Sequence, residues 1–191
     1  MIKLRLFSLA ALTLPLMLQG CMGPAIVSAG VGATMVHEDP RTAGTIFDDR
    51  VIVSKLSTRI RDKYAKQVNI TVTAYNNVVL LTGQAPSKEI KEDLALMVLE
   101  TRPVRDFRDE TAIRELATLT ETAQDIALKG KVVAQLARNK DVRSIRINTT
   151  VELGVVYLMG LVTREEGETA GQVVASVGGV EKVVKIFEYV D

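Results

Sequence analysis

The chain has 191 residues, and its 24 lysines and arginines nearly balance its 23 aspartates and glutamates, for a formal net charge of +1. It has one cysteine and one histidine. A single cysteine excludes a disulfide within the chain, and one cysteine with one histidine excludes a transition-metal site built from several of these residues. Stability must therefore come from packed apolar cores, and the length suffices for one domain or two small ones.

The first twenty residues have the three parts of a secretory signal. Lys3 and Arg5 make a basic start, residues 6–18 are mostly apolar, and Gln19-Gly20 lead to Cys21. The apolar run is too short to cross a bilayer as a finished helix. A signal peptide over residues 1–20 is therefore predicted.

The end of that signal, Leu18-Gln19-Gly20-Cys21, resembles the lipobox of bacterial lipoproteins. The resemblance implies that the chain is cut before Cys21, which becomes the lipid anchor, with diacylglycerol on its thiol and a fatty acyl chain such as palmitate on the new amine. Residue 22 is Met, whereas Asp at that place marks inner-membrane retention in enteric-type lipoproteins. The resemblance thus implies an outer-membrane protein facing the periplasm. A plain secretory signal with an incidental cysteine is the alternative.

An internal repeat organises the rest of the chain. Residues 76–83 (NNVVLLTG) align with residues 153–160 (LGVVYLMG) at an offset of 77, which also aligns Ile70 with Ile147. Sequence similarity at a fixed offset is the mark of a duplicated structural unit. We therefore expect two copies of one domain.

The predicted boundaries follow from this alignment. We expect an acylated N-terminus and tether over residues 21–47, a first domain at 48–113, a linker at 114–121 and a second domain at 122–191. Each copy reads helix, strand, strand, helix, strand. An α+β fold of two tandem αββαβ domains, each a three-stranded sheet covered on one face by two helices, is the economical arrangement. The two domains are expected to pack on one another, because each sheet has one uncovered face.

Periodicity supports these elements. Apolar residues recur every four positions at Ile52, Leu56, Ile60 and Tyr64, which predicts one helix that Asp48 or Asp49 caps. Alternation over residues 68–74 predicts a half-buried strand. Asn76-Asn77 and Leu153-Gly154 suit the positive φ angles of tight hairpins, and Ser87 and Thr163 suit the N-caps of the second helices.

This pattern resembles the BON-domain family. The resembling features are the amphipathic first helix, the hairpin that ends in Val-x-Leu-x-Gly, and the final strand after Gly178-Gly179-Val180. The lead-in at residues 39–45 (DPRTAGT), followed by Asp48-Asp49, is similar to that of outer-membrane lipoproteins with two BON domains. The resemblance implies a protein that binds anionic phospholipid of the inner leaflet and supports envelope integrity, with envelope or division-site proteins as further partners.

The sequence predicts no enzyme, cofactor or metal site. His37, the one histidine, falls in the tether, and Cys21 is expected to carry lipid, so no Ser–His or Cys–His pair is available to a folded domain. Acidic pairs such as Glu165-Glu166 stand at predicted helix starts, where capping explains them. Nucleic acid is disfavoured as a partner by the compartment and by the scarcity of aromatic residues.

A basic stretch in the second copy is the candidate binding surface. Between residues 126 and 147 six cations stand against the single acid Asp141. The candidate phospholipid-binding residues are the cations and apolar residues of the predicted helix: Ile126, Leu128, Lys129, Lys131, Val132 and Arg138. No aromatic residue lies in 122–133, so a shallow membrane contact is expected. A solvated charged helix is the alternative interpretation of this stretch, and a protein-binding adaptor for an envelope or cell-wall remodelling assembly is the alternative function.

Overall fold

The structure is a computed structural model that describes residues 39–191, and these residues form one compact unit. The predicted signal peptide, Cys21, His37 and most of the predicted tether lie outside the described residues.

Each copy of the repeat folds as helix, strand, strand, helix, strand. The first contains α1 (Ala43–Tyr64), β1 (Asn69–Tyr75), β2 (Val78–Ala85), α2 (Lys88–Leu99) and β3 (Asp106–Ile113). The second contains α3 (Leu119–Arg138), a short 3-10 turn (Ser144–Arg146), β4 (Ile147–Glu152), β5 (Val155–Val162), α4 (Arg164–Ala175) and β6 (Lys182–Tyr189). The predicted α+β fold with two tandem αββαβ domains is confirmed.

Both sheets have the same topology. The strand orders are β1-β2-β3 and β4-β5-β6; the first pair of each sheet is antiparallel and the second pair is parallel. The helix after the middle strand supplies the crossover that a parallel pair requires. Asn76 and Asn77 have φ angles of 52° and 62°, and Leu153 and Gly154 have 49° and 75°, so both predicted tight turns are present.

The predicted N-caps of the second helices are also present. Ser87 accepts a hydrogen bond from the backbone N–H of Ile90, and Thr163 accepts one from that of Glu166. The predicted cap of the first helix is wrong. The helix α1 begins at Ala43, with Thr42 as its N-cap, and Asp49 is buried within its second turn. The sequence pattern missed the first turn because its residues carry no apolar repeat.

In each domain one apolar core holds the sheet to its two helices. In the first copy the predicted stripe of Ile52, Leu56, Ile60 and Tyr64 is buried against β1, β2 and α2. In the second copy Leu128, Val132 and Leu136 of α3 occupy the same place against β4, β5 and α4. The uncovered faces of the two sheets then meet in a third apolar cluster, formed by Tyr75, Val78, Leu80, Tyr157 and Met159. The copies thus pack on one another, as predicted from their one-sided sheets.

The contact between the sheets has the symmetry of the repeat. Thr73 and Thr150 are equivalent residues, 77 positions apart, and their hydroxyl oxygens are hydrogen-bonded to each other at 3.1 Å. A residue that contacts its own equivalent marks the axis of a two-fold contact. Tyr75 donates from its hydroxyl to the carbonyl oxygen of Arg146 beside this point. A pseudo-two-fold axis therefore relates the two domains.

Candidate functional site

The helix α3 carries two apolar stripes on opposite sides. Its inner stripe consists of Leu128, Val132 and Leu136, which are at most 6% exposed and belong to the core of the second domain. Two of the predicted lipid-contacting residues, Leu128 and Val132, are therefore unavailable to a membrane. The prediction was wrong for them because their spacing fits a core stripe as well as a membrane-facing one.

The second stripe faces solvent. We call it the outer stripe; all its residues are exposed, and they recur every three or four positions: Leu119, Ala123, Ile126, Ala127, Gly130, Val133, Ala134 and Ala137. Leu119 is 91% exposed, Ile126 70% and Val133 45%. At 3.6 residues per turn this stripe lies opposite the inner one. Of the three apolar residues predicted to contact a membrane, Ile126 is the one that lies in the outer stripe and is exposed.

The same face of α1 has a different composition. The corresponding side of that helix includes Ser54, Thr58 and Arg61, and Phe47 is its large exposed apolar residue. The two helices occupy equivalent places in the repeat, so the fold does not require an apolar outer face. Of the two first helices, α3 has an apolar outer stripe and α1 does not.

Free cations border the outer stripe. Lys129 lies on one side of it, and Lys131 and Arg138 lie on the other. Within residues 39–191 none of the three side chains makes a hydrogen bond or an ion pair. In α1 some cations are paired and others are free: Arg59 pairs with Glu100 at 2.8 Å and Lys63 with Asp93 at 2.7 Å, whereas Arg50 and Lys55 make no ion pair among residues 39–191. Arg143, another cation of the basic stretch, binds the buried carboxylate of Glu166 at 3.1 Å.

Local contacts fix the orientation of α3. Thr118 and Glu121 form a reciprocal capping box at its start, and the backbone N–H of Thr118 lowers the pKa of the Glu121 carboxyl. Arg114 of the linker pairs with Glu121 at 3.0 Å. One turn later the Asp125 carboxylate accepts the backbone N–H groups of Leu153 and Gly154, at 2.7 and 2.9 Å. The helix is therefore held at its start and against the hairpin, which leaves its outer face free.

Within residues 39–191 no group of three His, Cys, Asp or Glu side chains is arranged to hold a metal ion. None of the described helices is long and apolar enough to span a bilayer.

A duplicated αββαβ unit joined through its sheets is the architecture of a tandem two-domain protein, and the first helix of its second copy presents an apolar face with basic borders. The family model of the BON domain matches residues 48–115 and 124–191. The chain belongs to the BON-domain family, as the sequence pattern predicted.

Relatives extend the similarity beyond the two domains. The chain is 28% identical to the outer membrane lipoprotein DolP of Haemophilus influenzae over 176 residues, which is 91% of each chain. It is 30% identical to a protein named 21 kDa hemolysin from Actinobacillus pleuropneumoniae, over 80% of this chain and 79% of that one. A solved structure of CdsD, a structural protein of the type III secretion system of Chlamydia trachomatis, is 14% identical over 74% of this chain and 63% of its own, with a TM-score of 0.28.

Proposed function

We propose that the protein is an outer-membrane lipoprotein, anchored through Cys21 and facing the periplasm, whose helix α3 contacts anionic phospholipid and so supports envelope integrity. The observation that carries the proposal is the outer stripe of α3 with its unpaired border cations. An interfacial helix needs an apolar face that enters the headgroup region and basic side chains that reach the phosphates beside it. The helix α3 offers both in the folded state.

The free energy of binding is expected to favour an anionic membrane surface over a neutral one. Each cation near such a surface contributes about 1 kcal/mol, so three cations contribute about 3 kcal/mol, or more than 100-fold in affinity. The outer stripe adds apolar burial of about 25 cal/mol per Å². Most of its residues are small, so the helix lies shallowly in the interface.

The proposed anchor rests on the lipobox and on the similarity to an outer membrane lipoprotein along 91% of the chain. Three acyl chains on Cys21 would hold the protein stably without help from α3. The helix would therefore orient and place the tethered domains on the inner leaflet rather than anchor them.

Co-sedimentation with vesicles tests the lipid contact. The chain without residues 1–38 keeps every described helix and strand and excludes binding through the anchor. It should sediment with phosphatidylcholine vesicles that contain phosphatidylglycerol and stay in solution with pure phosphatidylcholine. Reversing the border cations together (Lys129→Glu, Lys131→Glu and Arg138→Glu) should weaken binding at least about tenfold.

The first copy provides a matched control. Arg50, Lys55 and Lys66 belong to the first copy and are exposed, and none makes an ion pair among the described residues. Their reversal to Glu changes the net charge equally and should leave much stronger binding than reversal of the α3 cations. Equal binding to neutral vesicles, or equal losses from the two triple variants, would refute the proposed lipid contact.

A second variant separates the apolar part of the contact from the charges. Leu119 is 91% exposed, so Leu119→Ser leaves both cores untouched. The loss of its buried area should weaken binding to phosphatidylglycerol vesicles severalfold, while salt dependence stays the same because no charge has changed. Unchanged affinity of this variant and of Ile126→Ser would show that the outer stripe does not enter the interface.

A further inference from the structure

A groove runs along one side of the molecule where the two sheets meet. Its floor consists of β1 and β4, which lie beside each other across the pseudo-two-fold axis, and its walls are α1 and α3. Val53 projects from one wall, and Ile126 and Lys129 project from the other. We call it the lateral groove; its volume is about 410 Å³.

Both strands on the floor are edge strands. Each lies at the end of its sheet and pairs with a single neighbour, β1 with β2 and β4 with β5. Proteins usually protect such edges with charged side chains, proline or bulges, because an open edge can pair with another chain. The edges β3 and β6 follow that rule, with Asp106, Arg108, Asp109 and Glu110 on the first and Lys182, Lys185 and Glu188 on the second.

The groove edges lack this protection. The strand β1 (NITVTAY) has no charged residue, and β4 (INTTVE) has one, at its last position. Neither strand contains proline. The two edges that face the groove are thus the two that remain suited to pairing.

The hairpin geometry identifies which backbone groups point into the groove. The residue pair next to a two-residue turn exchanges both hydrogen bonds, so Tyr75 and Val78 are bonded, and every second residue of β1 points outward. The outward residues are Val72 and Ala74 on β1 and, by the same count, Thr149 and Val151 on β4, and of these Val72, Ala74 and Val151 line the groove. Among residues 39–191 their outward N–H and C=O groups have no hydrogen-bond partner.

We propose that the lateral groove binds an extended polypeptide segment of another protein by strand addition to β1 or β4. The free backbone groups supply the ladder, as in other peptide sites of this type. An apolar side chain of the segment lies between Val53 and Ile126, and a carboxylate reaches the unpaired ammonium of Lys129. Asp125 and Glu152 also line the groove, but their carboxylates accept hydrogen bonds from the Leu153–Gly154 turn and from Gln84. The groove shares Ile126 and Lys129 with the surface proposed to contact lipid, whereas the edge strands that would pair with the segment lie outside the outer stripe.

Strand addition can be tested with a defined probe. The full chain, purified from membranes in a neutral detergent, is titrated with a short fluorescent peptide of alternating threonine and valine that ends in aspartate. A second peptide is identical but has a methyl group on every second backbone nitrogen, which removes the ladder donors on one edge. The first peptide should bind at least about tenfold more tightly than the methylated one.

Hydrogen exchange locates the bound peptide. In the free protein the amides of Val72, Ala74, Thr149 and Val151 should exchange quickly, and the first peptide should slow exchange in residues 69–75 or 147–152. Slow exchange of these amides before the peptide is added would refute an open edge. Protection confined to β3 or β6 would place the binding elsewhere and overturn the proposal.

Substitutions give an independent test. Thr71 and Asn148 are exposed and line the groove, so Thr71→Lys and Asn148→Lys each add the charge that protects other edges. Either should weaken peptide binding at least about tenfold with little change in melting temperature. Thr58→Lys, the same change at an exposed site on α1, should have no effect. Equal affinity for both peptides, or equal loss from Thr58→Lys, would overturn the proposal.

Discussion

At the scale of single residues, one aspartate in each copy connects the first helix to the hairpin, and the two aspartates are equivalent in the repeat. The Asp49 carboxylate accepts the backbone N–H groups of Asn76 and Asn77 at 2.9 and 2.8 Å, as Asp125 does with Leu153 and Gly154. A carboxylate that accepts two N–H groups satisfies donors that a tight turn would otherwise leave unpaired. Asp49 also binds Arg41, which attaches the lead-in to the first domain at 2.8 Å.

Removing the charge at Asp125 should therefore destabilise the second domain. Asp125→Asn keeps the size of the side chain but replaces one acceptor with a donor that faces a backbone N–H. We expect a loss of about 1–3 kcal/mol in the free energy of unfolding, measured by urea denaturation. Asp141→Asn, at an exposed site, is the control and should change stability by less than about 0.5 kcal/mol. Similar values for the two variants would mean that the turn does not depend on this carboxylate.

At the scale of elements, two glycines show how differently the same residue functions in a helix and in a strand. A Cβ atom at Gly130 of α3 would meet no heavy atom within 4 Å. A Cβ atom at Gly160 of β5 would lie 2.5 Å from the carbonyl oxygen of Arg146. That oxygen also accepts the hydroxyl of Tyr75, so it cannot move without disturbing the contact between the domains.

The two glycine-to-alanine changes should have opposite effects. Gly130→Ala should stabilise the protein by about 1 kcal/mol, because alanine restricts the unfolded backbone and favours the helix. Gly160→Ala should destabilise it by about 1–3 kcal/mol through the clash with rigid backbone. Urea denaturation of both variants measures this. A stabilising effect of Gly160→Ala would contradict this prediction, because it would mean that the Arg146 carbonyl oxygen can move away from the new Cβ atom without loss of stability.

At the scale of the whole molecule, the contact between the sheets makes two small domains into one unit. Glu152 of the second domain accepts a hydrogen bond from Gln84 of the first. Burial raises the pKa of the Glu152 carboxyl, and the bond from Gln84 offsets this in part. A negative charge at this contact is therefore disfavoured in the folded state.

This shift predicts a pH dependence. The folded protein holds the Glu152 proton to higher pH than the unfolded chain, whose carboxyl has the ordinary pKa of 4.5, so ionisation lowers stability as pH rises through the folded pKa. Glu152→Gln removes the charge and keeps the shape. The stability of this variant relative to the parent should increase from about pH 4 to about pH 8, as measured by urea denaturation at each pH. A difference that stays constant with pH would contradict the prediction.

Most of the fold could be predicted from the sequence, because the pattern that indicates each helix, strand and turn occurs in both copies of the repeat. The four-residue spacing from Ile52 to Tyr64, the alternation of residues 68–74 and the two turns each follow from local geometry. The start of α1 could not be predicted, since Thr42 and the residues after it carry no apolar period. The burial of Asp49 depends on a turn that lies 27 residues further on.

The sequence by itself determined that this chain is a duplicated αββαβ protein of the BON family, with a basic first helix in the second copy. Only the tertiary structure decided which side of that helix faces solvent. Leu128 and Ile126 are both apolar residues of α3, and the packing of α3 on its own sheet buries the first and exposes the second. The lateral groove likewise exists only because two edge strands, 77 residues apart in sequence and with a single charged residue between them, meet at the pseudo-two-fold axis. Both features depend on how separate elements pack, and local periodicity carries no information about that.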